Sequence, residues 1–142
     1  MSVRVTKSVN ITRKIQERLR PTKKALKTEL ERHKKELTAK VKSGKGFDDK
    51  PLGRYKSKSY KARRRKRGLQ TSKVDLSFTG KLLKSIKTRV RSSSNSVIGT
   101  ISVTDTKKSK AQAMQERFSW FGISKQDLST IVRNLKQTLR RN

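Results

Sequence analysis

The sequence predicts an α+β fold in which N-terminal helices and a C-terminal helix pack on a small antiparallel β-sheet, with a long basic connecting loop between. Three observations predict it. Residues before position 44 carry apolar side chains at helical spacing. Residues 86–103 hold two short alternating segments joined by a polar turn. The last 19 residues carry the strongest helical stripe of the chain.

At the N-terminus, Val3 and Val5 alternate with polar neighbours in residues 2–9, the pattern of a short strand or an ordered arm. Asn10 is placed to cap a first helix whose stripe is Ile11, Ile15 and Leu19, and Pro21 is expected to end or kink it. A second helix is expected from about Thr22 to Ser43. Leu26, Leu30, His33, Leu37 and Val41 fall on one face, and Glu31–Lys35 and Glu36–Lys40 are i, i+4 pairs of favourable orientation. Gly44 and Gly46 supply the stop. His33 is the single histidine. No second ligand or nucleophile accompanies it in the sequence, so it reads as a packing histidine rather than a proton carrier or ligand.

Residues 45–74 read as a basic loop. Gly44, Gly46, Asp48, Asp49, Pro51 and Gly53 make its first part turn-rich. The glycines are not a phosphate loop, because no Gly-Lys-Ser/Thr follows at the required spacing. Residues 54–73 then hold ten basic side chains and no acid. Arg54, Lys56, Lys58, Lys61, Arg63, Arg64, Arg65, Lys66 and Arg67 are the candidate contacts to a polyanion or an acidic partner. Tyr55 and Tyr60 are interleaved among them, as on a phosphate-tracking surface with stacking rings.

The stretch Val74 to Ile86 reads as a turn feeding a short helix, capped by Asp75 or Thr79 and buried through Leu82, Leu83 and Ile86. Ile86, Thr88 and Val90 line one side of a strand. Val97, Gly99, Ile101 and Val103 line its hairpin partner. Residues 104–116 read as a linker with a helical turn at Ala111 and Met114, and Phe118, Trp120 and Phe121 read as core. Ser124 and Asp127 open the closing helix as in a capping box, and Leu128, Ile131, Val132, Leu135 and Leu139 form its stripe. This stripe is expected to pack on Val90, Ile101 and Val103.

The 142 residues suffice for one domain with a modest core, divided as residues 1–44, 45–74 and 75–142. Only 30% of them are hydrophobic, which is lean for a free-standing globule. The formal net charge is +30, +20 of it before residue 75. Such a chain repels itself and needs an anionic partner. With no cysteine there is neither disulfide nor thiolate metal site. Nothing reads as a signal peptide, and no apolar run is long enough to span a membrane. No nucleophile–base pair or metal cluster is recognisable, so neither an enzyme nor a cofactor is expected.

Three pieces stand in a particular order: Tyr55-Lys56-Ser57-Lys58-Ser59-Tyr60-Lys61; Val74-Asp75-Leu76-Ser77-Phe78-Thr79-Gly80-Lys81-Leu82-Leu83-Lys84-Ser85-Ile86; and Arg117-Phe118-Ser119-Trp120-Phe121-Gly122-Ile123-Ser124. In this order and spacing the chain resembles the virion-morphogenesis proteins of tailed bacteriophages, the tail-completion and head–tail joining group, over about residues 45–142. Members often carry an aromatic-x-x-x-His-x-x-Gly segment after the hairpin. Here Ala111-Gln112-Ala113-Met114-Gln115-Glu116 stands in that place.

The resemblance implies helices on a small antiparallel sheet and no enzymatic activity. It also implies a homo-oligomeric ring, a hexamer or dodecamer, in the virion neck, assembled in the host cytoplasm. The ring would complete or terminate the tail and join it to the DNA-filled head. Its partners would be adjoining connector, stopper or tail-tube proteins, with genome DNA in the channel. Leu26, Leu30, Leu37 and Val41 are expected at the subunit interface, because their helix has more apolar length than a small sheet covers. The basic run is expected to face either DNA or acidic surfaces of an adjoining ring; the protein partner is favoured, since a ring gripping the genome would hinder its ejection. The alternative class is a nucleoid-like or ribosomal DNA- or RNA-binding protein.

Overall fold

The computed structural model describes residues 5–10, 19–92, 96–104 and 108–141. It is an α+β fold with the element order β1 (Val5–Asn10), α1 (Leu19–Lys42), α2 (Lys58–Lys66), α3 (Lys81–Lys84), β2 (Ile86–Ser92), β3 (Ser96–Val103), α4 (Lys108–Phe118) and α5 (Lys125–Arg141). Asn10, expected to cap a first helix, is instead the last residue of β1. Ile11 and Ile15 lie outside the described residues, and Leu19, the third residue of that stripe, opens α1.

Pro21 does not end a helix. It is the third residue of α1, which runs on for 24 residues. The first-turn N–H groups of a helix have no intrahelical acceptor, so a proline there removes nothing. The stop comes where it is expected. Gly44 takes φ +88°, its N–H donates to Val41 O at 2.9 Å, and Lys45 N donates to Lys40 O at 2.9 Å. These two bonds form a Schellman motif, whose left-handed position suits glycine.

The sheet has three strands in the order β1-β3-β2, antiparallel throughout. The hairpin of β2 and β3 pairs Ile86 with Val103 and Ser92 with Val97. β1 adds to the other edge of β3, Val5 opposite Ile101 and Asn10 opposite Ser96. Period-two alternation holds in β3: Val97, Gly99, Ile101 and Val103 are buried and the residues between are half-buried.

Helix α1 lies on this sheet and approaches β3 tightly at Gly99. A Cβ built there would sit 2.7 Å from Leu30 Cδ1 and 3.0 Å from Leu26 Cδ2. The missing side chain is what lets the helix settle. Gly99→Ala is therefore expected to cost about 1–3 kcal/mol through overpacking. Urea denaturation checks it, and an unchanged midpoint would mean that the leucine tips yield freely.

The stripe assigned to a subunit boundary is the centre of the fold instead. Leu26, Leu30, Leu37 and Val41 are 4%, 4%, 1% and 0% exposed within the single chain. The physical reason is that α5 covers Leu26 and Leu30 through Ile131 and Leu135, while the α3 leucines, Trp120 and Phe121 cover Leu37 and Val41, so the helix has more than a hairpin to pack on. Helix α5 runs antiparallel along α1, Asp127 meeting Lys40 and Asn134 meeting Glu29. Ile131 and Leu135 pack with Ala25, Leu26, Leu30 and Val97, with Val90 at the margin. The expected docking of α5 on Ile101 and Val103 is not found. Those side chains belong to a second cluster with Leu37, Val41, Leu82, Leu83, Trp120 and Phe121.

Three further expectations change. Residues 108–118 form helix α4, not a linker. The basic connection is not all loop, because α2 occupies its middle. The i, i+4 pairs expected on α1 are replaced: Glu36 takes Arg32, Lys40 reaches Asp49 and Asp127, and Glu31 accepts from Thr88 Oγ1 and lies 3.9 Å from Lys34. Burial alone would lower the Lys40 ammonium; the bond to Asp49 and the Asp127 charge outweigh it and raise it.

Candidate polyanion-binding face

The basic excursion is closed at its base by Val74 N, which donates to Gly53 O at 2.8 Å. Within it Ser57 caps α2, its Oγ accepting from Tyr60 N at 3.2 Å. Lysine and arginine are good helix formers, so nine residues without a broad apolar face still make a helix once a cap and an inner anchor exist. The anchor is Arg64. It is fully buried, which corrects its expected place among the polyanion contacts.

Arg64 Nη2 donates to both Asp75 oxygens, at 3.0 and 3.1 Å, and Nε donates to Gln70 O at 2.8 Å. Its guanidinium lies 4.6 Å from the centre of the Tyr55 ring. Nη1 has no hydrogen-bond partner among the described residues. Asp75 also accepts from Tyr55 Oη at 3.1 Å, Gln70 Nε2 at 2.6 Å and Ser77 N at 3.1 Å. Burial would push the Asp75 carboxyl up, but hydrogen bonds from Gln70 and Ser77 and the Arg64 charge hold it below the usual carboxylate range. Burial raises the Tyr55 hydroxyl, and the neighbouring Asp75 charge adds to it.

Asp75 or Thr79 is the cap expected for α3, and neither holds the N-cap position. Asp75 is instead the acceptor that fastens α2 to the body, and Gly80 takes the N-cap position of α3 with no side-chain bond. Lys81 N has only a long contact, 3.4 Å, to Thr79 Oγ1. Tyr55 was expected as an outward stacking ring and is buried. It begins a ladder of rings: Tyr55 to Tyr60 at 5.1 Å and Tyr60 to Phe78 at 5.5 Å. Each ring carries one guanidinium, Arg64 on Tyr55, Arg63 on Tyr60 at 5.7 Å and Arg67 on Phe78 at 4.5 Å. Phe78 was not anticipated here.

The other candidates stay outside. Arg54, Lys56, Lys58, Arg63, Arg65, Lys66 and Arg67 are exposed and Lys61 is half-buried. Among the described residues no ion pair reaches any of them. The arrangement therefore presents uncompensated cations on a helix whose one inward arginine is neutralised.

Away from this face, His33, Glu36 and Asp127 bring three potential ligand atoms within 4.8 Å of one another. The donor types suit a transition-metal ion. In the structure all three side chains are already engaged. Glu36 is held by Arg32 and Asp127 by Lys40, while His33 Nε2 donates to Gly122 O at 3.1 Å. The group is a polar joint between α1, α5 and the segment before α5; His33 is buried there, but with Glu36 and Asp127 beside it, companion ligand types that the sequence alone does not bring together.

Compared with family models, curated proteins and solved structures, the chain matches none.

Proposed function

We propose that the protein is a structural component of a bacteriophage neck, forming a ring that completes or terminates the tail and joins it to the filled head. One observation carries the reading. The three sequence pieces behind the resemblance converge in one buried cluster: Tyr55 from the first, Leu82, Leu83 and Ile86 from the second, Trp120 and Phe121 from the third. Their order along the chain is thus tied to one core, which is what a shared architecture requires. The roles of Asp75 and Arg64 are architectural as well, which suits a protein whose work is assembly. A ring needs heterologous contacts that close. They would fall on surfaces other than the buried α1 stripe.

Native mass spectrometry and negative-stain microscopy of the purified chain test this directly. The expected result is a closed ring of six or twelve copies. Deleting the gene should leave filled heads and finished tails unjoined, and added protein should join them. A chain that stays monomeric and is absent from virions would overturn the proposal. A second reading, nucleic-acid binding, is favoured by one observation only, the uncompensated outer face of α2.

A further inference from the structure

We infer that the outer face of α2 binds the phosphate backbone of duplex nucleic acid, through Arg63 and Arg67 held ready on the Tyr60 and Phe78 rings. The inference rests on that face and not on the ring. Arg63 and Arg67 stand one helical turn apart, on the same side of α2 and its C-cap. Each guanidinium lies over an aromatic ring, at 5.7 and 4.5 Å from its centre. A guanidinium resting on a ring has already given up much of its rotamer freedom, so less is lost when it takes a ligand. Its planar edge of N–H donors matches two phosphate oxygens.

An acidic protein would share the charge logic but not the rest. Arginine and aromatic residues are enriched in protein–protein interfaces too, so the discriminating feature is lysine, which is depleted there. Here both outer rings of the ladder are overlaid by arginine, and the flanking residues Lys58, Arg65 and Lys66 are exposed cations. The acid nearest in sequence, Asp75, is buried and spent on Arg64. A polar, strongly positive surface is the signature of backbone binding to nucleic acid. Nor would such contacts clamp a moving genome. Phosphate contacts of this kind carry no sequence information and allow sliding along the duplex.

The experiment uses the full chain, washed free of nucleic acid with nuclease and high salt, and a labelled 20-base-pair duplex of arbitrary sequence. Fluorescence anisotropy across a salt series should give a straight log–log plot. In the R63Q/R67Q variant the slope should become shallower by about 2, with affinity at moderate salt down roughly tenfold. K136Q/R140Q removes equal charge from exposed positions on α5 and should lose less. R63K/R67K keeps the charge and should keep the slope while binding several-fold more weakly, since an ammonium lacks the planar fork. Circular dichroism melts should be unchanged, because Arg64 is untouched. An equal loss from the α5 variant would mean diffuse attraction and overturn the site. Lysine variants equal to wild type would overturn the ring-held geometry. Polyglutamate displacing the duplex at lower charge concentration than competitor DNA would assign the face to an acidic protein instead. None of these outcomes depends on whether the chain forms a ring.

Discussion

Arg64→Ala is expected to destabilise the fold by about 3–5 kcal/mol, because it strands the Asp75 carboxylate in a buried site. Total stability for a domain is typically only about 5–15 kcal/mol, so the variant should sit close to unfolding. The loss should exceed that of any neighbouring arginine; Arg63→Ala or Arg65→Ala changes exposed side chains and should move stability by less than about 0.5 kcal/mol. R64M/D75N should recover part of the loss. It removes both charges yet leaves an amide oxygen for Tyr55 Oη and Ser77 N, which donate to Asp75 in the native chain. The same pair sets an acid limit. The folded Asp75 carboxyl lies below its ordinary value. Its contribution is therefore fully present above about pH 4 and is lost as pH falls through the folded value. Chemical denaturation of wild type and D75N between pH 3 and 7 checks both statements. The two curves should converge in acid. Equal stability of Arg64→Ala and Arg63→Ala would refute the anchoring role.

Trp120→Ala should cost a similar amount, about 3–5 kcal/mol, by a different route. Trp120 is completely buried, its ring 5.3 Å from that of Phe121, and its Nε1 donates to Ala111 O at 3.3 Å. Removing it opens a cavity where Leu37, Val41 and the α3 leucines meet α4. The melting temperature should fall by about 10 °C or more. Hydrogen exchange should speed first in α4, because Ala111 is buried against the indole and loses its partner. Retention of α4 protection alongside a global loss would show that the helix is held from elsewhere.

The contrast between these two sites bears on what the sequence makes legible. Trp120 is readable as core because aromatic residues cluster before a capped amphipathic helix. Helix α5, the hairpin and the length of α1 are readable for the same reason: apolar spacing carries them. Helix α4 is not, since Ala111, Met114 and Phe118 are too sparse for a stripe. Helix α2 is hidden further, because a run from Arg63 to Arg67 looks uniform when only charge is read. Which of five cations turns inward is decided by the helical phase from Ser57 and by the one acceptor in reach. A signal for it does exist: Asp75 is the sole acid between Asp49 and Asp105, so a single arginine was bound to claim it. The α1 stripe is legible as an apolar face, but not what it meets: its covering side chains come from α5 and from Leu82, Leu83, Trp120 and Phe121, whose placement beside α1 no local spacing reveals.

The central position of β3 has a consequence for the order of folding. Its partner β2 is close at hand: Val97 faces Ser92, five positions away. Its other partner is remote: the same Val97 faces Val9, 88 positions away. Chain closure over the longer span costs about 2.5 kcal/mol more than over the shorter one. The hairpin should therefore form early and the N-terminal strand dock late. Until it does, one whole edge of β3 carries unpaired N–H and C=O groups. On the ribosome β1 is made before its partner and must wait for the 88 positions between Val9 and Val97 to follow before its place exists. The refolding intermediate to look for is a native hairpin under α1 with residues 5–10 still exchanging freely.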